Sequence, residues 1–174
     1  IVGNSGTGKS TLMNILNGTL TNYSGTLTLD GEDYRNTPID KILSAVLHIE
    51  QTPYIFKGTV RDNIQLNNNF TDLEIKKALI DSGLEEYSEQ LDFEISELGS
   101  NVSGGQKQRF SLARGLIRNK QIILLDESTS NLDKTTASNI ENFILDIPNV
   151  TVIMITHHLS EKIKDRLDGI LELS

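Results

Sequence analysis

Cysteine is absent from the 174 residues, which excludes a disulfide framework, a zinc–thiolate centre and a thiol nucleophile. The lack is compatible with a reducing cytosol. Basic charge is in deficit: 16 Lys and Arg stand against 24 Asp and Glu, a formal net charge of −8. That is the wrong overall sign for binding nucleic acid by phosphate neutralisation, although a local basic patch stays open. Long apolar runs are missing too. The longest, such as Val150 to Ile155, have strand length and fall far short of the ~20 residues of a membrane-spanning helix. No methionine starts the chain, and Ile1-Val2 leads straight into a glycine-rich loop as though the sequence entered in mid-strand, so it is read as a piece of a longer protein. What is there, 37% hydrophobic and 23% charged residues, is too apolar for a disordered segment and suits one globular domain with a real core.

The pattern along the chain is that of an α/β protein. Ile1-Val2, the loop GNSGTGKS, and Thr11 to Asn17 with Leu12, Ile15 and Leu16 on one helical face read as strand, loop and helix, stopped at Gly18. Thr26, Leu27, Thr28 and Leu29 predict a half-buried strand ending in an Asp30-Gly31 turn, and Ala45 to Ile49 a further strand. From Thr59 to Asn119 the pattern turns helical, broken at Asn67-Asn68-Asn69. A capping box pairs Thr71 with Glu74 in a helix that stops at Gly83; a second box pairs Ser103 with Gln106 ahead of the stripe Phe110, Ala113, Leu116 and Ile117. Ile122 to Leu125 and Val150 to Ile155 are continuous apolar runs, as parallel strands covered on both faces require. The helix expected between them carries Ala137, Ile140, Phe143, Ile144 and Ile147.

Three motifs carry chemistry. Gly3, Asn4, Ser5, Gly6, Thr7, Gly8, Lys9 and Ser10 match GxxxxGK[ST], in which glycines let backbone N–H groups curl around phosphates at a helix N-terminus. Lys9 then reaches the β and γ phosphates and Ser10 offers its hydroxyl to Mg²⁺. Asp126 and Glu127 end the first apolar strand, where Asp126 is placed to hold Mg²⁺, directly or through water, and Glu127 to polarise an attacking water. Together these describe a P-loop nucleotide hydrolase, kinase or switch. The third motif is VSGGQ, Val102, Ser103, Gly104, Gly105 and Gln106, a second anion-binding helix start. One chain has no obvious use for two γ-phosphate cradles; two chains do.

With VSGGQ the sequence resembles the nucleotide-binding domain of ATP-binding cassette (ABC) proteins, whose signature is LSGGQ with Val102 in the leucine place. The likeness extends over nearly the whole chain. Gln51 resembles the Q-loop glutamine, which in that family touches the metal or attacking water; Ser130-Asn131-Leu132-Asp133 resembles the D-loop; His157 resembles the switch histidine on the γ-phosphate. QTPYIFKGTVRDNI, Gln51 to Ile64, is similar to exporters, and Glu97 and Gly99 resemble the exporter loop that meets transmembrane coupling helices. Departures are Ser96 for glycine, Ser128 for proline, Asn131 for alanine and His158 for arginine; none removes a reacting group. The family aromatic that stacks on adenine falls upstream of Ile1.

The resemblance implies an α/β P-loop NTPase core with a mostly parallel sheet, a small antiparallel part and an inserted α-helical subdomain, truncated at both ends. Residues 1–57 and 119–174 are expected to form the core and 58–118 the subdomain. It implies ATP held by residues 3–10, Thr11, Gln51, Asp133 and His157 and by Ser103 to Gln106 of a head-to-tail partner domain. Ser10, Gln51 and Asp126 would hold Mg²⁺, with Glu127, His157, Gln51 and Lys9 catalytic. Transmembrane domains are the other implied partner, with this domain on the cytoplasmic side of the membrane and no nucleic acid expected. Two rivals remain at this level: a soluble ABC-type ATP switch in DNA repair, chromosome organisation or translation, and a small-molecule kinase, which leaves VSGGQ and His157 unused.

Overall fold

The computed structural model describes residues 1–127, 134–156 and 161–174, the side chains of Thr136 and Lys162 excepted. In chain order the elements are β1 (Val2–Gly3), α1 (Lys9–Leu16), β2 (Thr28–Leu29), β3 (Glu32–Asp33), α2 (Ile39–Ala45), β4 (Val46–Ile49), β5 (Gly58–Thr59) and α3 (Val60–Gln65). There follow α4 (Asp72–Asp81), α5 (Glu85–Ser88), β6 (Glu94–Ile95), a 3₁₀ turn at Glu97–Gly99 and α6 (Gly104–Leu116). The chain closes with β7 (Ile122–Asp126), α7 (Lys134–Leu145), β8 (Thr151–Ile155), α8 (Glu161–Lys164) and β9 (Glu172–Leu173). Contacts divide it into two units, the first made of Ile1–His48, Lys120–Glu127 and the described part of Ile147–Ser174, the second of Ile49–Asn119 and residues 134–146.

The first unit is built on parallel strands. β7 lies between β4 and β8, and its parallel register with β8 runs from Ile122 opposite Thr151 to Asp126 opposite Ile155. Ile123, Leu124 and Leu125 are buried, which is why this strand reads as an unbroken apolar run rather than an alternating one. Thr156 N donates to Ile1 O at 3.3 Å and so sets β1 beside the end of β8, while β1 pairs in parallel with β9. The strands β2 and β3 form an antiparallel hairpin whose two turn residues, Asp30 (φ 51°) and Gly31 (φ 83°), adopt the left-handed conformation that suits strand twist. Met13 of α1, Ile42 of α2, Val46, Leu124, Ile155, Leu29 and Tyr34 close the core. Burial of each such side chain contributes roughly 1.5–3 kcal/mol.

The second unit is mostly helical. Its core joins Ile55, Val60 and Ile64 to Ile75, Leu79 and Leu84 and to Phe110 and Ala113 of α6. Three of its helices cap themselves: Thr59 with Asp62, Thr71 with Glu74, and Ser103 with Gln106 each form a complete capping box. The last two follow the sequence pattern; the first was not anticipated, because Asp replaces the usual Glu or Gln at the third position. Within the stretch from Thr59 to Asn119, where the pattern reads helical, the structure adds strand β6, which pairs antiparallel with β5, Gly58 opposite Ile95 and Thr59 opposite Glu94. Two-residue strands carry no period for a sequence reading to detect. α2 was likewise unforeseen, and α7 ends at Leu145, short of Ile147.

Buried polar groups organise the second unit. Asn63 is fully buried: its Nδ2 donates to Phe56 O (3.0 Å) and Thr59 O (3.1 Å), and its Oδ1 accepts from Phe56 N (3.3 Å) and Arg114 Nη2 (2.8 Å). Arg114 also donates to Asn63 O and Tyr54 O, and Arg118 to Ile64 O and Gln65 O. The two guanidinium groups thus satisfy the last carbonyls of α3, which have no intrahelical partner, at the negative end of the helix dipole. Burial, with Arg118 nearby, pushes the Arg114 guanidinium down to about 10.

Candidate functional site

The loop from Gly3 to Gly8 leaves β1 at the carboxyl edge of the sheet. The ladder Glu127 N to Ile155 O (3.2 Å) and Thr156 N to Ile1 O (3.3 Å) puts Asp126 and Glu127 at that same edge. Within the first unit the fold therefore brings the glycine-rich loop and the two acids together, at the end where parallel sheets present ligand-binding groups.

The loop's shape follows from its glycines. Gly6 (φ 86°) and Gly8 (φ 93°) sit in the left-handed region, and a Cβ placed on either would meet only open space, so they are required by backbone conformation and not by crowding. Gly3 differs: a Cβ there would come within 2.4 Å of Leu173 O. Gly8 is the N-cap of α1 and makes no side-chain cap bond. The first intrahelical bond runs from Leu12 N to Gly8 O at 2.9 Å, so the N–H groups of Lys9, Ser10 and Thr11 precede it and lie at the positive end of the helix dipole. Lys9 is 5% exposed, yet its ammonium bonds no carboxylate among the described residues. It donates to Gly3 O (2.9 Å) and Asn4 O (2.8 Å), neutral acceptors that leave the charge uncompensated. Thr7 braces the loop through Oγ1 to Asn4 O at 3.0 Å. Ser10 and Thr11 are exposed beside it, as are Asn4, Ser5 and Gly6.

Glu127 holds a left-handed backbone (φ 47°), which a non-glycine side chain adopts at a cost of roughly 1–3 kcal/mol and which concentrates at functional positions. Both it and Asp126 are half-buried. Among the described residues no group of three or more His, Asp or Glu side chains gathers around a common point. Ser10 offers an exposed hydroxyl at the start of α1, and Asp126 a half-buried carboxylate at the end of β7. A sparse, hard donor set of that kind fits Mg²⁺, which keeps waters and takes phosphate oxygens rather than a dedicated protein cage.

In the second unit Gln51 is exposed, two residues past the end of β4. Ser103 and Gly104 are exposed at the tip of α6, while Val102 and Gly105 are buried. Ser103 Oγ accepts from Gln106 N at 3.2 Å, and Gln106 Oε1 accepts from Ser103 N at 2.7 Å. Gln106 is thus turned back on its own helix, its Nε2 donating to Glu86 at 3.2 Å. Leu98, with φ 55° and 61% of its surface exposed, accepts through its carbonyl from Lys107 Nζ at 2.8 Å. Asp133 and His157 lie outside the described residues. Sequence reading missed the role of Asn63; an asparagine between apolar Val60 and Ile64 on a short helix was the available signal.

A family model described as ABC transporter matches residues 1–130. The chain is similar to the lactococcin-A transport/processing ATP-binding protein LcnC of Lactococcus lactis subsp. lactis, 40% identical over 166 residues that make up 92% of this chain and 23% of that protein. It is also similar to the microcin-J25 export ATP-binding/permease protein McjD of Escherichia coli, 38% identical over 92% of this chain and 28% of that protein. A solved bacterial Atm1-family ABC exporter with ATP bound superposes with a TM-score of 0.84 at 29% identity, covering 99% of this chain and 31% of that one. The chain therefore spans about a quarter of the length of these relatives.

Proposed function

The chain belongs to the ABC transporter family, and from that premise we propose that it binds and hydrolyses ATP to power export by a larger membrane protein. The observation that carries this reading is the start of α1: a helix with no side-chain cap, left-handed glycines and a lysine whose charge meets no acid among the described residues. Backbone donors, dipole and cation converge on one anion, and a polyphosphate meets all of them. Export, as opposed to a soluble ATP switch, is supported by relatives named for transport or as permeases. No described helix is long and apolar enough to cross a membrane; in this reading the span is supplied by transmembrane domains, in the same parent chain or as a separate subunit.

In this reading Lys9 and the N–H groups of the loop hold the β and γ phosphates, and Thr11 also contacts the nucleotide. Ser10, Asp126 and Gln51 hold Mg²⁺, which offsets phosphate charge. Glu127 accepts a proton from water as the water oxygen bonds to the γ phosphorus. The bond from that phosphorus to the β–γ bridging oxygen breaks, and its electron pair leaves with ADP. Gln51 and His157 align water and γ phosphate. Ser103, Gly104, Gly105 and Gln106 cap the nucleotide of a second copy arranged head to tail, with Asp133 at that junction. ATP then joins the copies, and its hydrolysis removes the charge that bridges them.

Glu127→Gln in the full-length parent is the test. Nucleotide affinity should stay within about threefold of wild type while turnover falls at least ~100-fold, the loss of a general base. Unchanged steady-state hydrolysis removes Glu127 from that role.

A further inference from the structure

α1 ends at Asn17, its C-cap, whose N–H donates to Met13 O at 2.8 Å. The side-chain amide of Asn17 has a fixed orientation: Oδ1 accepts from Thr19 N at 2.9 Å, so Nδ2 is the end that faces His48 Nδ1, 3.1 Å away. An NH₂ group can only donate, so Nδ1 is the acceptor and the neutral imidazole carries its hydrogen on Nε2. Nε2 is buried and has no hydrogen-bond partner among the described residues. A leucine of similar volume would avoid that unpaired donor. The imidazole is kept at a place where its one hydrogen bond runs to the phosphate-loop helix.

The place matters as well. His48 lies on β4 between buried Val46 and Ile49, and it is the last residue of the first unit before the chain passes into the second. Gln51 follows three residues later. The helix that begins with Lys9 and Ser10 is thus tied at its far end to the strand that delivers Gln51.

We propose that His48 is a positioning residue for ATP turnover: by accepting from Asn17 it fixes the exit of β4 against α1, three residues ahead of the Q-loop glutamine in the chain. This rests on the ATPase reading above. His48 touches neither nucleotide nor water in this account, so its effect belongs to the chemical step rather than to ATP binding.

The experiment uses the full-length parent in lipid and reads kcat and KM for Mg-ATP in His48→Leu, His48→Asn, Asn17→Ala and the Asn17→Ala/His48→Leu pair. Leucine fills the space without an acceptor; asparagine returns an acceptor oxygen near the Nδ1 position. His48→Leu and Asn17→Ala should each lower kcat about tenfold with KM within twofold, and the pair should do no worse than either alone, because both remove one bond. His48→Asn should recover at least half of the wild-type kcat. Wild-type kcat in His48→Leu overturns the proposal. So does a His48→Asn variant as slow as His48→Leu, which would assign the loss to packing, and so do losses that multiply in the pair. Absence of Mg-ATP hydrolysis by the wild-type parent instead overturns the ATPase reading itself.

Discussion

The two units start their key helices in opposite ways. In the second unit α6 opens on Ser103, whose hydroxyl and backbone exchange hydrogen bonds with Gln106, and α3 and α4 do the same with their own residues. In the first unit α1 opens on Gly8 with no side-chain cap. A missing cap costs about 1 kcal/mol, and the left-handed glycines add backbone entropy to that. α2 and α5 also start without a side-chain cap, on Pro38 and Leu84, so what sets the open end of α1 apart is its surroundings, the left-handed Gly6 and Gly8 and the buried Lys9. The signature helix differs in kind: its tip is exposed but already satisfied, so a phosphate reaching Ser103 adds to a finished cap instead of completing it.

The sharpest way to break this contrast is at Lys9. Lys9→Ala removes the only cation placed at the loop by the described contacts, and charged hydrogen bonds of about 1.5–3 kcal/mol translate into a loss of ATP affinity of roughly 10- to 150-fold. Titration with a fluorescent ATP analogue reads it; equal affinity would show that the open helix end is not where the phosphates go. Arg114→Ala attacks the other unit. It strips the buried Asn63 of the donor to its O and Oδ1, so unfolding in urea should show a loss of about 2–3 kcal/mol while affinity for nucleotide changes less than with Lys9→Ala. Ser103→Ala deletes one cap and should lower stability by about 1 kcal/mol in the same assay, with a larger effect on turnover than on folding.

The smallest effect is that of pH. Hydrogen bonds from Thr59 hold Asp62, and from Thr71 hold Glu74, below the ordinary carboxylate range. Carboxylates depressed in the folded state stabilise it above their unfolded values near 4 and lose that contribution as pH falls through the folded values. Thermal melts from pH 6 to pH 3 should therefore lose the capping contribution of α3 and α4 at the acid end, and a Thr59→Ala/Thr71→Ala variant should show a shallower fall. α1, with no carboxylate at its cap, should not share in it.

Much of this contrast was legible in the sequence. The GxxxxGK[ST] spacing located the open helix end, the parallel pair β7 and β8 showed as Ile122 to Leu125 and Val150 to Ile155, although β8 is buried only at Ile155, and two of the three capping boxes were visible as Thr71 with Glu74 and Ser103 with Gln106. What escaped was set by tertiary contact. The β5–β6 pair has two residues a side and gains its bonds only from a partner 37 positions away, Gly58 opposite Ile95. Asn63 reads as an ordinary polar residue until Arg114, 51 positions on, closes its bonds. The His48 to Asn17 bond, across 31 positions, has no local signature either. The left-handed φ of 47° at Glu127 is likewise a property of the folded strand end, not of the dipeptide.

The central claim is that the open end of α1 in one copy and the tip of α6 in another grip the same triphosphate. Mixing two inactive full-length variants, Lys9→Ala and Ser103→Arg, tests it most directly. In a head-to-tail pair both lesions fall in one site and the other site is intact, so ATP hydrolysis should return on mixing to about a quarter of wild type, half the pairs being mixed and one of two sites restored in each. A mixture that stays as inactive as its components would contradict the account, because it would place the loop and the signature of each site on a single chain.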